Sequence, residues 1–97
     1  MNFAELVQQD RRLVILRILS ESDHYSTNEH LLKMGLHAFG HNAGTDLVRT
    51  ELAWLKEQGL VSVDEIGGVQ IPKLTGRGLD VAQGSTVVPG VKRPAPE

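Results

Sequence analysis

The sequence predicts a mostly α-helical domain with one small β-hairpin, in the order helix, helix, helix, strand, wing, strand, helix, followed by an extended tail. Three observations predict it. Apolar residues recur at helical spacing before residue 59, most clearly at Val48, Leu52 and Leu55. Two short alternating runs, Val61-Ser62-Val63 and Gln70-Ile71-Pro72-Lys73-Leu74, flank Gly67-Gly68, which suits a hairpin turn. Past Gly84 the helical period stops, and Pro89, Pro94 and Pro96 follow. A chain of 97 residues has room for one continuous core.

The first helix begins on a capping signature. Asn2 can accept from a backbone N–H one turn on, and Glu5 can reach back. The helix runs to about Glu21 with Leu6, Leu13, Leu16, Ile18 and Leu19 on its apolar side. The polar run Gln8–Arg12 leaves open a break, with Asp10 capping a second helix from Arg11; one long helix is preferred. Ser22 to Tyr25 connects. Ser26-Thr27-Asn28-Glu29 reads as a second capping box, with Ser26 as N-cap and Glu29 returning the bond. It opens a helix whose Leu31, Leu32, Leu36 and Phe39 share a face, and Gly40 to Gly44 stops it.

The third helix spans about Thr45 to Gln58. At 100° per residue Val48, Leu52 and Leu55 fall together, with Leu47 and Trp54 on the flank. Gly59 ends it and Leu60 packs back. Pro72 lacks an N–H, so its strand is an edge or stops there. Thr75 suits the N-cap of a last helix, about Gly76–Gln83, with Leu79, Val81 and Ala82 inward. Residues 1–83 are thus read as one domain, with 1–10 extending its first helix, and 84–97 as a Pro-rich tail. The tail has two readings: an arm or strap on DNA or protein, or a frayed end.

Several function classes drop out. There is no cysteine, hence no disulfide, zinc-thiolate site or thiol nucleophile. His37 and His41 stand four apart and His30 seven before His37, but Gly40 intervenes and no Glu follows His37. They are read as polar helix-face or turn residues, and no metal or cofactor is expected. Gly76-Arg77-Gly78 opens a helix but is no P-loop, and no nucleophile elbow is present, so no enzyme is expected. Arg17 interrupts the longest apolar run, Leu13–Leu19, so no membrane span is expected. The N-terminus lacks a basic n-region, and a cytoplasmic location is expected.

The element order is that of a winged helix-turn-helix domain, and two stretches strengthen it. In Leu52-Ala53-Trp54-Leu55-Lys56-Glu57-Gln58-Gly59-Leu60-Val61 the chain turns from helix into strand on Gly-Leu-Val. Leu74-Thr75-Gly76-Arg77-Gly78-Leu79-Asp80-Val81-Ala82 resembles the strand-to-helix exit after the wing of many such proteins. Together with Gln9–Leu16, Ala38-Phe39-Gly40-His41 and Pro89–Pro94, these stretches resemble the short proteins of Mu-like phages and prophages labelled ArsR-like transcriptional regulators. The resemblance covers nearly the whole chain and implies a winged-helix, DNA-binding, dimeric regulator. The metal-sensing ArsR members use cysteines, so thiolate sensing does not carry over. A fold-level label does not by itself define a site.

In this architecture the third helix enters the major groove. Arg49 is placed to meet guanine, Thr50 a base edge, and Asn42, Gly44 and Thr45 the phosphates at the helix start. Lys56, Lys73 and Arg77 would face the backbone. Charge opposes this reading. The protein carries −2 overall, the third helix holds Asp46, Glu51 and Glu57 against Arg49 and Lys56, and the wing tip is Asp64-Glu65-Ile66-Gly67-Gly68. Arg11, Arg12 and Arg17 are read as a solvated helix surface. Trp54 is placed at the core margin, with a dimer interface as the lesser reading. Phe3, Leu6 and Val7 exceed what a small core requires and are the expected homodimer contact. The leading expectation is a regulator that binds duplex DNA as a homodimer. The alternative is a winged-helix protein-interaction module in phage assembly or DNA packaging.

Overall fold

The computed structural model describes residues 1–96; Glu97, the end of the predicted tail, lies outside them. Helix α1 is one unbroken helix, Phe3–Glu21. The Asn2 side chain accepts from the Glu5 N–H at 2.8 Å, while Glu5 reaches only the Asn2 amide, at 3.5 Å. Leu13, Leu16 and Leu19 are buried as expected, and so is Ile15. Its burial follows from position: α1 packs against α2 (Glu29–Ala38) on one side and α4 (Gly76–Gln83) and strand β2 (Val69–Leu74) on the other, so its apolar arc is wide. Leu6, placed on that arc by the sequence, stays half exposed because α1 overshoots the core at its N-terminal end.

The second capping box is corrected. Asn28, not Ser26, caps α2, accepting from the Leu31 N–H at 2.9 Å. Ser26 instead bridges to Lys73 as a short extra rung on the hairpin, its hydroxyl donating to the Pro72 carbonyl at 2.8 Å. That explains how a proline sits within β2: its carbonyl is used, and its missing N–H is not needed. Only Leu32 and Leu36 of α2 enter the core; Leu31 and Phe39, expected there, are exposed. A helix that buries one narrow stripe leaves its flanks in solvent.

Helix α3 (Thr45–Glu57) buries Val48, Leu52 and Leu55. Gly59, at φ +76°, ends it and turns the chain so that Leu60 is fully buried. The wing is β1 (Val61–Ile66) paired antiparallel with β2, from Val61–Leu74 to Ile66–Val69, longer than the alternating runs suggested. Thr75 caps α4 by accepting from the Gly78 N–H at 3.0 Å. Gly78 has a packing cause, since a Cβ there would lie 2.0 Å from the Leu60 carbonyl oxygen. No helix among the described residues is long and apolar enough to cross a membrane.

The tail is not frayed. Val88 and Val91 are buried in the same core as the helices. The Lys92 N–H donates to the Gln9 carbonyl at 3.1 Å, and Gly90 turns at φ +98° against the Trp54 ring. The segment is a strap across α1 and α3.

Candidate nucleic-acid interface

Three side chains decide what the α3 face can do. Arg49 projects from α3 into the angle between α2 and the wing. Its Nε donates to Glu29 Oε1 at 2.8 Å, and its Nη2 donates to Glu29 Oε2 at 3.0 Å and to the Gly68 carbonyl at 2.8 Å. The Gln70 backbone N–H closes on the same carboxylate. Glu29 is buried, and with Arg49 first and the Gln70 N–H second holding it charged, its carboxyl falls to about 2. The Glu29 hydrogen bonds likewise raise the Arg49 guanidinium above its usual range.

Arg49 is therefore not the free, outward guanidinium the helical wheel implied. Its side chain is 40% exposed, but only the Nη1 edge is uncommitted. A two-donor contact to guanine needs an edge this clasp consumes. Thr50 is exposed, with its hydroxyl turned back to the Asp46 carbonyl at 2.9 Å. Arg49 and Lys56 share a cleft of about 220 Å³ between α3 and the wing, where Glu65 also lies. Asn42 is exposed but lines a separate groove with His30 and His37. Thr45 is exposed at the first turn of α3, whose N-cap, Gly44, offers no side chain to the free N–H groups. Lys73 and Arg77 are exposed outside the cleft, and Arg77 runs beside Gly59.

Of the basic cluster at the start of the chain, Arg17 is exposed as expected, but Arg11 and Arg12 are not a solvated surface. Glu51 is 1% exposed, and Arg11 Nε and Arg12 Nε donate to its two oxygens at 3.0 and 3.1 Å. Arg12 lies 3.8 Å above the Trp54 ring and gives a further bond to the Gly90 carbonyl at 3.1 Å. Trp54 is accordingly half buried beneath the strap. His41, expected to be a polar turn residue, is buried and donates from Nε2 to Asp10 at 2.7 Å; Lys92 meets the other Asp10 oxygen at 3.2 Å. Burial pushes the Asp10 carboxyl up, but the His41 and Lys92 bonds outweigh it and the carboxyl is lowered. No group of three or more metal-ligating side chains occurs among the described residues.

Glu29 and Glu51 are the residues the sequence reading missed. Glu51 left a trace: it stands three after Val48 and four before Leu55, inside the buried arc of α3. Glu29 left none, because its partner is 20 residues away. On α1, Phe3 is 79% exposed, Leu6 exposed and Val7 half buried, and they border an apolar groove of about 450 Å³ with Gln9 and Asp10.

Three helices, a hairpin and a closing helix around one core, with α3 lying beside the wing, make this a winged helix-turn-helix protein. The fold is similar to that of a chain in the solved complex of hsRosR-S1, with a TM-score of 0.65 and 21% identity, covering 76% of this chain and 65% of that one. The chain belongs to the family of the phage Mu protein gp26. It is 47% identical over 92 residues to the uncharacterized protein gp26 of Escherichia phage Mu, covering 95% of each chain. It is 43% identical over 98 residues to an uncharacterized protein of Haemophilus influenzae, covering all of this chain and 95% of that one. No family model matches the chain.

Proposed function

We propose that the chain is a non-catalytic, cytoplasmic phage or prophage protein that acts as a homodimer and uses its winged-helix body to contact protein. The observation that carries this is the commitment of Arg49, the only arginine of α3, to Glu29 and Gly68. With that charge quenched, the free charges beside the wing are Asp46, Glu57, Asp64 and Glu65 against Lys56, Lys73 and Arg77. Phosphate neutralisation supplies most non-specific DNA affinity, and this face has no basic surplus to supply it. Phe3, Leu6 and Val7 at the free end of α1 are the homodimer contact of this reading. A gel shift on duplex DNA across a salt series tests it. No retarded band is expected even at low salt. A band that fades steeply as salt rises would overturn it.

The second reading is a DNA-binding regulator of the ArsR-like kind. One observation favours it: Thr45 is exposed at the side-chain-uncapped start of α3, with Lys56, Lys73 and Arg77 all in solvent. The same titration separates the two. Under this reading Lys56→Ala or Arg77→Ala lowers the salt slope by about one each.

A further inference from the structure

Helix α2 keeps large apolar side chains out of the core. Met34 is 65% exposed, and a groove of about 490 Å³ runs between α2 and its connection to α3. His30, Lys33, Met34 and His37 line it from the helix, at spacings that put them on one side, and Ala43 lines it from the connection. No carboxylate lines it. The acid of α2, Glu29, is turned into the Arg49 clasp. The groove is thus an apolar surface rimmed by one ammonium and two imidazoles.

The wing tip has the opposite character. Ile66 is 68% exposed, the last pair of the hairpin before Gly67-Gly68, and exposed Asp64 and Glu65 precede it. At the end of a two-stranded ribbon it has no route back to the core. An acidic tip also has the wrong sign for a phosphate backbone. A further exposed apolar spot, around Phe3 and Leu6, borders Asp10, whose charge is already met by His41 and Lys92.

The geometry points to a contact between copies in which the wing tip of one chain docks in the α2 groove of another, Ile66 against Met34 and the Asp64 carboxylate, on the same face of the strand, against Lys33 and its flanking histidines. Apolar burial provides the attraction, and the charges set register and exclude wrong partners. The two surfaces differ, so the contact is heterologous and either closes a ring or extends a chain. It is separate from the α1 homodimer and holds whether or not DNA is bound.

The test is sedimentation velocity of the full chain carrying Leu6→Glu, which removes the α1 contact, from about 10 μM to about 1 mM at low and high salt. Wild type is run in parallel, so loss of the α1 dimer is read separately. The Leu6→Glu chain is expected to gain mass with concentration and lose it in salt. Adding Ile66→Asp or Lys33→Glu, both at exposed positions, should weaken association about tenfold or more. Mixing a Lys33→Glu chain with an Asp64→Lys chain should restore it. A chain monomeric throughout, or association indifferent to both variants, would overturn the proposal. So would a monomer whose groove binds only an added acidic, isoleucine-centred peptide, which would assign the groove to a foreign partner.

Discussion

Arg49 on α3 and Glu29 on α2 form a forked ion pair, with Nε on Oε1 at 2.8 Å and Nη2 on Oε2 at 3.0 Å, and the wing closes on both through Gly68 and Gln70. One carboxylate thereby ties two helices and the hairpin at a single point. It also spends the cation best placed to meet nucleic acid.

The clasp predicts acid sensitivity. Glu29 titrates near 4.5 when free and at about 2 in the fold. A lowered carboxyl stabilises the fold fully above its unfolded value and loses that contribution as pH falls toward its folded value. Stability should therefore drain between about pH 4.5 and 2, and Glu29→Gln should flatten that limb. Urea midpoints measured across this range check it; an unchanged slope in the variant would remove Glu29 from the cause.

Opening the clasp should change charge presentation. Glu29→Ala frees the Arg49 guanidinium, so weak, salt-sensitive binding of duplex DNA should appear at low salt where wild type shows none. Arg49→Ala should cost stability without altering any sequence preference. Fluorescence polarisation on two unrelated duplexes reads both effects, and a preference lost in Arg49→Ala would return that residue to base reading.

Glu51→Ala should be among the most damaging single changes. It leaves Arg11 and Arg12 without their shared carboxylate in a largely buried setting, and breaking a buried pair costs about 3–5 kcal/mol. Denaturant melts measure this. A loss under about 1 kcal/mol would mean that the pair is effectively solvated.

Gly90→Ala should lift the strap. At φ +98° a side chain is strained, and its Cβ would sit 2.8 Å from the Trp54 ring. The expected cost is about 1–3 kcal/mol, with red-shifted Trp54 emission and faster amide exchange at Val91 and Lys92. Unchanged emission would show that the strap does not cover the indole.

Leu6→Glu should convert the proposed α1 dimer to monomer at about 10 μM without lowering helix content, because Leu6 is already outside the core. Light scattering with circular dichroism reads both. A wild-type chain monomeric at about 100 μM would remove the dimer from the proposal.

The boundaries of α1, α3 and α4, the hairpin turn and the Asn2 and Thr75 caps were legible in the sequence because each depends on residues within one turn of one another. The α3 core stripe was legible for the same reason. Charge roles were not. Arg11, Arg12, Arg49, Glu29 and Glu51 read locally as surface charges, yet their partners lie 20 to 40 residues away.

By itself, then, the sequence determined the order and type of the elements, since local periodicity and turn chemistry act over a few residues. Only the tertiary structure decided which charges are spent internally, that the C-terminal segment straps down over Trp54, and which apolar side chains of α1 and α2 remain for partners. Those outcomes depend on which distant surfaces meet when the core closes, and no local spacing encodes that meeting.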